Sequence, residues 1–135
     1  MIAEDMIAYM ESVGLGRRHE TLFTPADQGA YDGRPLVMVA EESRSSAGPD
    51  VTADVDRATV TLTFAGVYGQ VGEKAVYELA FRTYMRFRLL LHETINGTEY
   101  LCIQAAHPPS HDGLTDGRTI YSVTLEVYRA LAEVE

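Results

Sequence analysis

The sequence predicts an α+β fold: one small domain over residues 1–135, with a mainly antiparallel or mixed sheet of about four to five strands and two helices on one face. Three observations predict it. Residues 73–92, EKAVYELAFRTYMRFRLLLH, repeat their apolar positions at helical spacing. Residues 58–64 and 121–127 alternate apolar and polar side chains strictly, as half-buried strands do. Between these segments lie runs of Gly, Pro, Asn, Asp and Ser that punctuate a chain into elements. A chain of 135 residues with 46% hydrophobic and 23% charged residues is globular and has room for one core.

From the N-terminus, Ile2, Met6, Met10 and Val13 share one face of a short helix that Gly14 and Gly16 should stop. Thr21-Leu22-Phe23 reads as a brief strand, and a Pro-Ala-Asp-Gln-Gly turn region follows. The run Leu36-Val37-Met38-Val39-Ala40 is apolar without alternation, which suggests a central strand covered on both faces. Residues 41–56, EESRSSAGPDVTADVD, hold too little apolar surface to offset their own ordering and read as a long polar loop or protruding hairpin. Assembly contacts and plain flexibility both suit it.

Ala58, Val60, Leu62 and Phe64 face one side of the clearest strand, and Thr59, Thr61 and Thr63 the other. Gly66, Gly69 and Gly72 then form a glycine-rich connection. Their spacing fits neither nucleotide-binding fingerprint, so a flexible loop is expected.

On the wheel of residues 73–92, Val76, Leu79, Ala80, Thr83, Phe87, Leu90 and Leu91 gather as a core face. Glu78, Arg82 and Arg86 form a solvated stripe, with Glu78 and Arg82 spaced for a weak pair. Tyr77, Phe81, Tyr84 and Met85 widen the apolar sector beyond what one sheet needs, which hints at a partner surface.

Asn96-Gly97 supplies a turn, after which Leu101, Ile103 and Ala105 are expected to face the core and Tyr100, Cys102 and Gln104 to oppose them. Pro108-Pro109 ends that strand. In the last strand, 119–129, Tyr121, Val123, Leu125 and Val127 oppose Ser122, Thr124 and Glu126. The Thr and Ser faces of two strands should meet solvent or another subunit.

A net charge of −9 and a pI near 4.8 disfavour a phosphate-gripping protein, since such affinity comes from Lys and Arg. Cys102 is the single cysteine, so no internal disulfide is expected; with no signal-peptide pattern and no apolar run long enough for a bilayer, a soluble intracellular protein is expected. His107 and His111, with Asp112 and Asp116, are the one cluster resembling metal ligands, and on it rests the enzyme alternative, a small metal-dependent hydrolase using His107, His111 and Asp112. Carboxylates such as Glu41, Glu42, Asp54 and Asp56 read as solvated, and Ser43, Ser45 and Ser46 lack a nucleophile-elbow context.

The order of short words along the chain carries a resemblance. Leu15-Gly16, Thr21-Leu22-Phe23, Asp56-Arg57-Ala58-Thr59-Val60, Ala80-Phe81-Arg82-Thr83-Tyr84, Ala105-Ala106-His107-Pro108 and the Asp116-Gly117-Arg118 turn leading into Thr119-Ile120-Tyr121-Ser122-Val123 together resemble the small tail-terminator and minor-capsid proteins of long-tailed bacteriophages. The resemblance implies a virion protein of the tail or neck, made in the host bacterial cytoplasm. It implies a homo-oligomer, commonly a hexameric ring, that caps the tube of major tail protein and docks to the head-side connector or stopper. It implies no catalysis and no cofactor, with DNA passing through the lumen unbound. The alternative within virion assembly is a head-completion (stopper) protein of the neck. On this chain's own exposed features, the expected subunit contacts are Arg44, Tyr77, Phe81, Arg82 and Arg86.

Overall fold

The structure, a computed structural model, describes residues 2–27, 34–43, 55–66, 69–115 and 118–130. Helix α1 (Ile2–Ser12) is followed by strand β1 (Leu22–Phe23), a 3-10 turn at Pro25–Asp27, and strands β2 (Leu36–Ser43) and β3 (Val55–Gly66). Helix α2 (Gly69–Phe87) leads into β4 (Leu89–Ile95), β5 (Thr98–Ala105), β6 (Ser110–Thr115) and β7 (Arg118–Ala130). The α+β class holds, but among the described residues the sheet has seven strands, more than the four to five expected.

The sheet runs β1-β2-β3-β7-β5-β4, with β6 also on β7; all pairings are antiparallel except β1 with β2. Strand β7 is the spine. One of its edges pairs with β3 from Val55↔Ala130 to Ala65↔Ile120. Its other edge is shared by β5, opposite Leu125 to Arg129, and by β6, opposite Arg118 to Ser122. The break falls at Pro108-Pro109, which carry no N–H for a ladder, just after Ala106 N–H donates to Thr124 O at 3.0 Å.

Both helices cover one face. Met38, Ala40, Ala58, Val60, Leu62, Phe64, Ile103, Ala105, Val123, Leu125 and Val127 point into a single core with Ile2, Met6, Ile7 and Met10 of α1 and Val76, Leu79, Ala80 and Phe87 of α2. Buried Thr83 satisfies its hydroxyl on Leu79 O at 2.8 Å. The reverse face carries Thr59, Thr61, Thr63, Ser122 and Thr124, half-exposed as the alternation implies. At its β1–β2 end Phe23, Val37 and Ala65 form a small second cluster with Val39 and Ile120, which explains the unbroken apolar run of β2.

Helix α1 ends where its glycine dictates. Gly14 has φ +79°, Leu15 N–H bonds Met10 O at 2.9 Å and Gly14 N–H bonds Glu11 O at 3.1 Å, a Schellman closure with Leu15 buried behind it.

Helix α2 is shifted from expectation at both ends. It starts at Gly69, inside the stretch expected to be a loop. A Cβ on Gly66 would lie 2.6 Å from Gly72 O, so the glycines let β3 and α2 pack backbone against backbone. At the other end Leu89-Leu90-Leu91 leave the helix for β4, because Asn96 and Gly97, with φ +51° and +79°, make a two-residue hairpin turn that sets Ile95↔Thr98 back to Leu89↔Gln104. In that register Leu90 pairs with core Ile103, and Leu89 and Leu91 point to the open face.

A bulge corrects β5. Tyr100 pairs with Arg129 and Cys102 with Tyr128, so Leu101 is the extra residue. Tyr100, Ile103 and Ala105 are therefore the buried set, and Leu101, expected inside, is half-exposed. The polar segment 41–56 begins and ends as the antiparallel arms of β2 and β3, with Ser43↔Thr59 in register. Its residues 44–54, and Arg44 with them, lie outside the described residues.

Candidate assembly surfaces

Among the described residues, the large apolar side chains that are exposed outright lie on α2 or β4: Tyr77 (46% exposed), Phe81 (39%), Met85 (51%), Leu89 (57%) and Leu91 (58%). The core is otherwise closed, so these two patches are where apolar surface remains to be covered.

The first patch is the outward side of α2. Tyr77, Phe81 and Met85 follow one another at i, i+4 along it, opposite Val76, Ala80, Thr83 and Phe87, which seal the sheet. The aromatic rings continue past the helix. Tyr84 and Phe81 lie 5.7 Å apart, Phe81 and Tyr77 5.8 Å, Tyr77 and Tyr121 5.6 Å, and Tyr121 and His111 4.8 Å between centroids. Burial, with Glu73 nearby, raises the Tyr121 hydroxyl pKa and keeps it neutral.

Beside the rings run Lys74, Glu78, Arg82 and Arg86, all exposed. Glu78 pairs back to Lys74 at 3.9 Å, not forward to Arg82 as the spacing suggested. No ion pair joins Arg82, Arg86 or Arg88 to another of the described residues. Residues 69–88 carry four cations against two anions, which leaves seven cations against eighteen anions on the rest of the chain. The α2 face is thus a basic, aromatic island on an acidic molecule. Of the expected contact residues, Tyr77, Phe81, Arg82 and Arg86 are all exposed on α2.

The second patch lies on the opposite side of the subunit. Leu89 and Leu91 sit on the edge strand beside Gln104 and Cys102, and Cys102 pairs with Tyr128. The sequence placed both leucines in the helix, so this surface was not foreseen. The same face carries Glu41, Glu99 and Glu126, against Arg57, which reaches Glu126 at 3.6 Å and lies 5.8 Å over the Tyr128 ring. Its flat middle is the Thr and Ser stripe.

The polar residues beneath α1 are internally satisfied. The Tyr100 hydroxyl donates to Asp5 Oδ2, and Asn96 Nδ2 donates to Asp5 Oδ1 at 3.0 Å. Burial, then the Asp5 contact, push the Tyr100 hydroxyl pKa well above its usual value. Arg129 holds nearly inaccessible Asp56 through Nε at 2.9 Å and Nη2 at 2.8 Å. Arg18 reaches Glu4 at 2.8 Å and also Asp27, whose carboxyl is held below the usual range first by the Thr24 N–H and then by Arg18. These are fold-holding contacts.

Among the described residues, the candidate metal ligands do not come together. His107 Nδ1 lies against Pro108 O at 2.8 Å, His111 stacks on Tyr121 in β6, and Asp112 accepts from the Ser110 hydroxyl at 3.2 Å. Asp116 lies outside the described residues, and among the described residues no three His, Cys, Asp or Glu side chains come together. An open cleft of about 370 Å³ between α1 and the β4–β5 turn is lined by Tyr9, Val13, Glu93 and Ile95 among others; burial, with Glu93, raises the Tyr9 hydroxyl pKa.

No family model matches the chain, and no curated protein does. Among solved structures, a protein whose name states no function is similar over 98% of this chain and 98% of its own, at 15% identity and a TM-score of 0.57. At that identity the likeness shows the fold alone. It covers both helices and the whole mixed sheet, so the arrangement is that of an existing small α+β fold. No helix among the described residues is long and apolar enough to cross a membrane.

Proposed function

We propose that this chain is a structural virion protein, a phage tail terminator that assembles with copies of itself into a ring, caps the tail tube and meets the head-side connector. The observation that carries the reading is the outward face of α2. It leaves three large apolar side chains in solvent beside arginines that form no ion pair among the described residues, in a chain of net charge −9. Aromatic, Met and Arg side chains are the types in which an interface core is enriched.

The word-by-word resemblance supplies the kind of assembly, and two further features support it. The subunit presents unlike apolar patches on opposite sides, a head-to-tail disposition that makes a ring where the rotation between copies closes. Its acidic balance would let DNA pass a lumen without adhering. In this reading Tyr77, Phe81, Arg82 and Arg86 meet neighbouring subunits, the protein performs no catalysis, and it needs no cofactor.

The test is to add the purified chain to polymerising tail tubes and follow tube length by electron microscopy. A terminator arrests growth and leaves a ring at one tube end. Tubes that lengthen unchanged, with the chain bound instead to connector rings, would assign it to the neck as a stopper; a chain that binds neither is not a tail-completion protein.

A further inference from the structure

We infer that the open sheet face around Leu89 and Leu91 is the seat for the outward face of α2 of a second copy, so that successive subunits stack helix onto sheet. The inference takes from the proposed function only its choice of occupant, a second copy of this chain. The two sites otherwise match in apolar character and charge.

Their apolar parts are of like kind. Leu89 and Leu91, both more than half exposed, stand on an edge strand that carries unpaired backbone groups and needs cover. The stripe Tyr77–Phe81–Met85 runs along one side of a helix. Their charges are complementary: the helix patch is flanked by Arg82 and Arg86 beyond the Lys74–Glu78 pair, and the sheet face carries Glu41, Glu99 and Glu126, with Arg57 3.6 Å from Glu126 and His92 3.8 Å from Glu99. Either patch set against its own copy would bring like charges together. The two patches lie on opposite sides of a two-layer subunit, so the contact is head to tail and every copy offers one donor face and one acceptor face.

The chain's own thiol makes this testable. Cys102 is half-exposed, beside Leu91 in register, on the acceptor face. Met85→Cys puts a second thiol on the donor face at a position already in solvent. At the highest soluble concentration, a short thiol-to-thiol cross-linker should convert this variant into a ladder of trimers and larger species on a denaturing gel. Wild-type chain should give no cross-link. The ladder should vanish in Met85→Cys/Cys102→Ser, and fall at least tenfold in Met85→Cys/Leu91→Asp while circular dichroism and melting temperature stay unchanged. Cross-linked dimers alone, a Cys102–Cys102 product from wild-type chain, or a Met85→Cys chain that stays monomeric would each overturn the inference. A ladder from a chain that leaves tail tubes uncapped would retain this contact and remove the proposed function; capped tubes bearing rings without the 85–102 cross-link would do the reverse.

Discussion

Helices α1 and α2 cover the same face of the same sheet, yet they treat their outward residues differently. On α1 the apolar side chains Ile2, Ala3, Met6, Ile7 and Met10 are buried, and the polar ones are tied to this chain. Asp5 holds Tyr100 and Asn96, Glu4 holds the Arg18 guanidinium, Glu11 accepts the Arg18 N–H at 3.0 Å, and Ser12 bonds Tyr9 O at 2.6 Å. Glu42 reaches across to the Ile2 N–H at 3.2 Å, satisfying an otherwise orphaned helix-start donor. On α2 the inner side is as well closed, but Tyr77, Phe81, Met85, Arg82 and Arg86 are left over. A helix whose outward residues are satisfied within its own chain belongs to the fold alone. On α2 several outward side chains stay exposed, and the proposed assembly role rests on them.

The largest effect that would sharpen this comparison lies in the core under α1. Met6→Ala removes a fully buried side chain and should cost about 2–5 kcal/mol in urea unfolding, the range for cavities in cores. A loss below a tenth of that would mean α1 is docked loosely and the contrast is false. Asp5→Ala strands the buried Tyr100 hydroxyl and should cost about 1–3 kcal/mol. Because the two groups touch, a double-mutant cycle with Tyr100→Phe should be non-additive; strict additivity would deny the contact.

A smaller effect follows from Asp27. Its folded pKa lies below the ordinary value, so its stabilisation is fully present above the unfolded pKa and is lost as pH falls through the folded one. Unfolding midpoints of wild type and Asp27→Asn should converge as pH drops below about 4 and separate above it. Parallel curves would show that Asp27 is not held by Thr24 and Arg18.

Much of this contrast was legible in the sequence, and the places where it was not are instructive. The alternation of residues 58–64 and 121–127 placed their core sides correctly, because a half-buried strand leaves no second way to hide Val60, Leu62, Val123 and Leu125. The helical wheel separated Val76, Ala80 and Phe87 from Tyr77, Phe81 and Arg82, since both groups sit well inside the helix. It failed at Leu89-Leu90-Leu91, where local helical spacing continued but the Asn96-Gly97 hairpin drew the residues into β4. Leu101 failed for a related reason: a bulge shifts side-chain parity, and no pattern within the strand announces it. Both failures hid the acceptor face, whose residues come together only when β4, β5 and β7 pair. Strand β6 was hidden too, because Ser110–Thr115 has no apolar repeat and is strand only by pairing with β7.

In the proposed function the outward face of α2 serves assembly and not folding. The measurement that tests it most directly is paired thermal unfolding and sedimentation of Arg82→Glu/Arg86→Glu beside wild type. Both side chains are exposed and form no ion pair among the described residues, Arg86 having the Tyr9 hydroxyl within electrostatic reach, so stability should change by no more than about 0.5 kcal/mol while self-association and tube capping are lost. A variant that melts several degrees lower yet still forms rings would contradict the account.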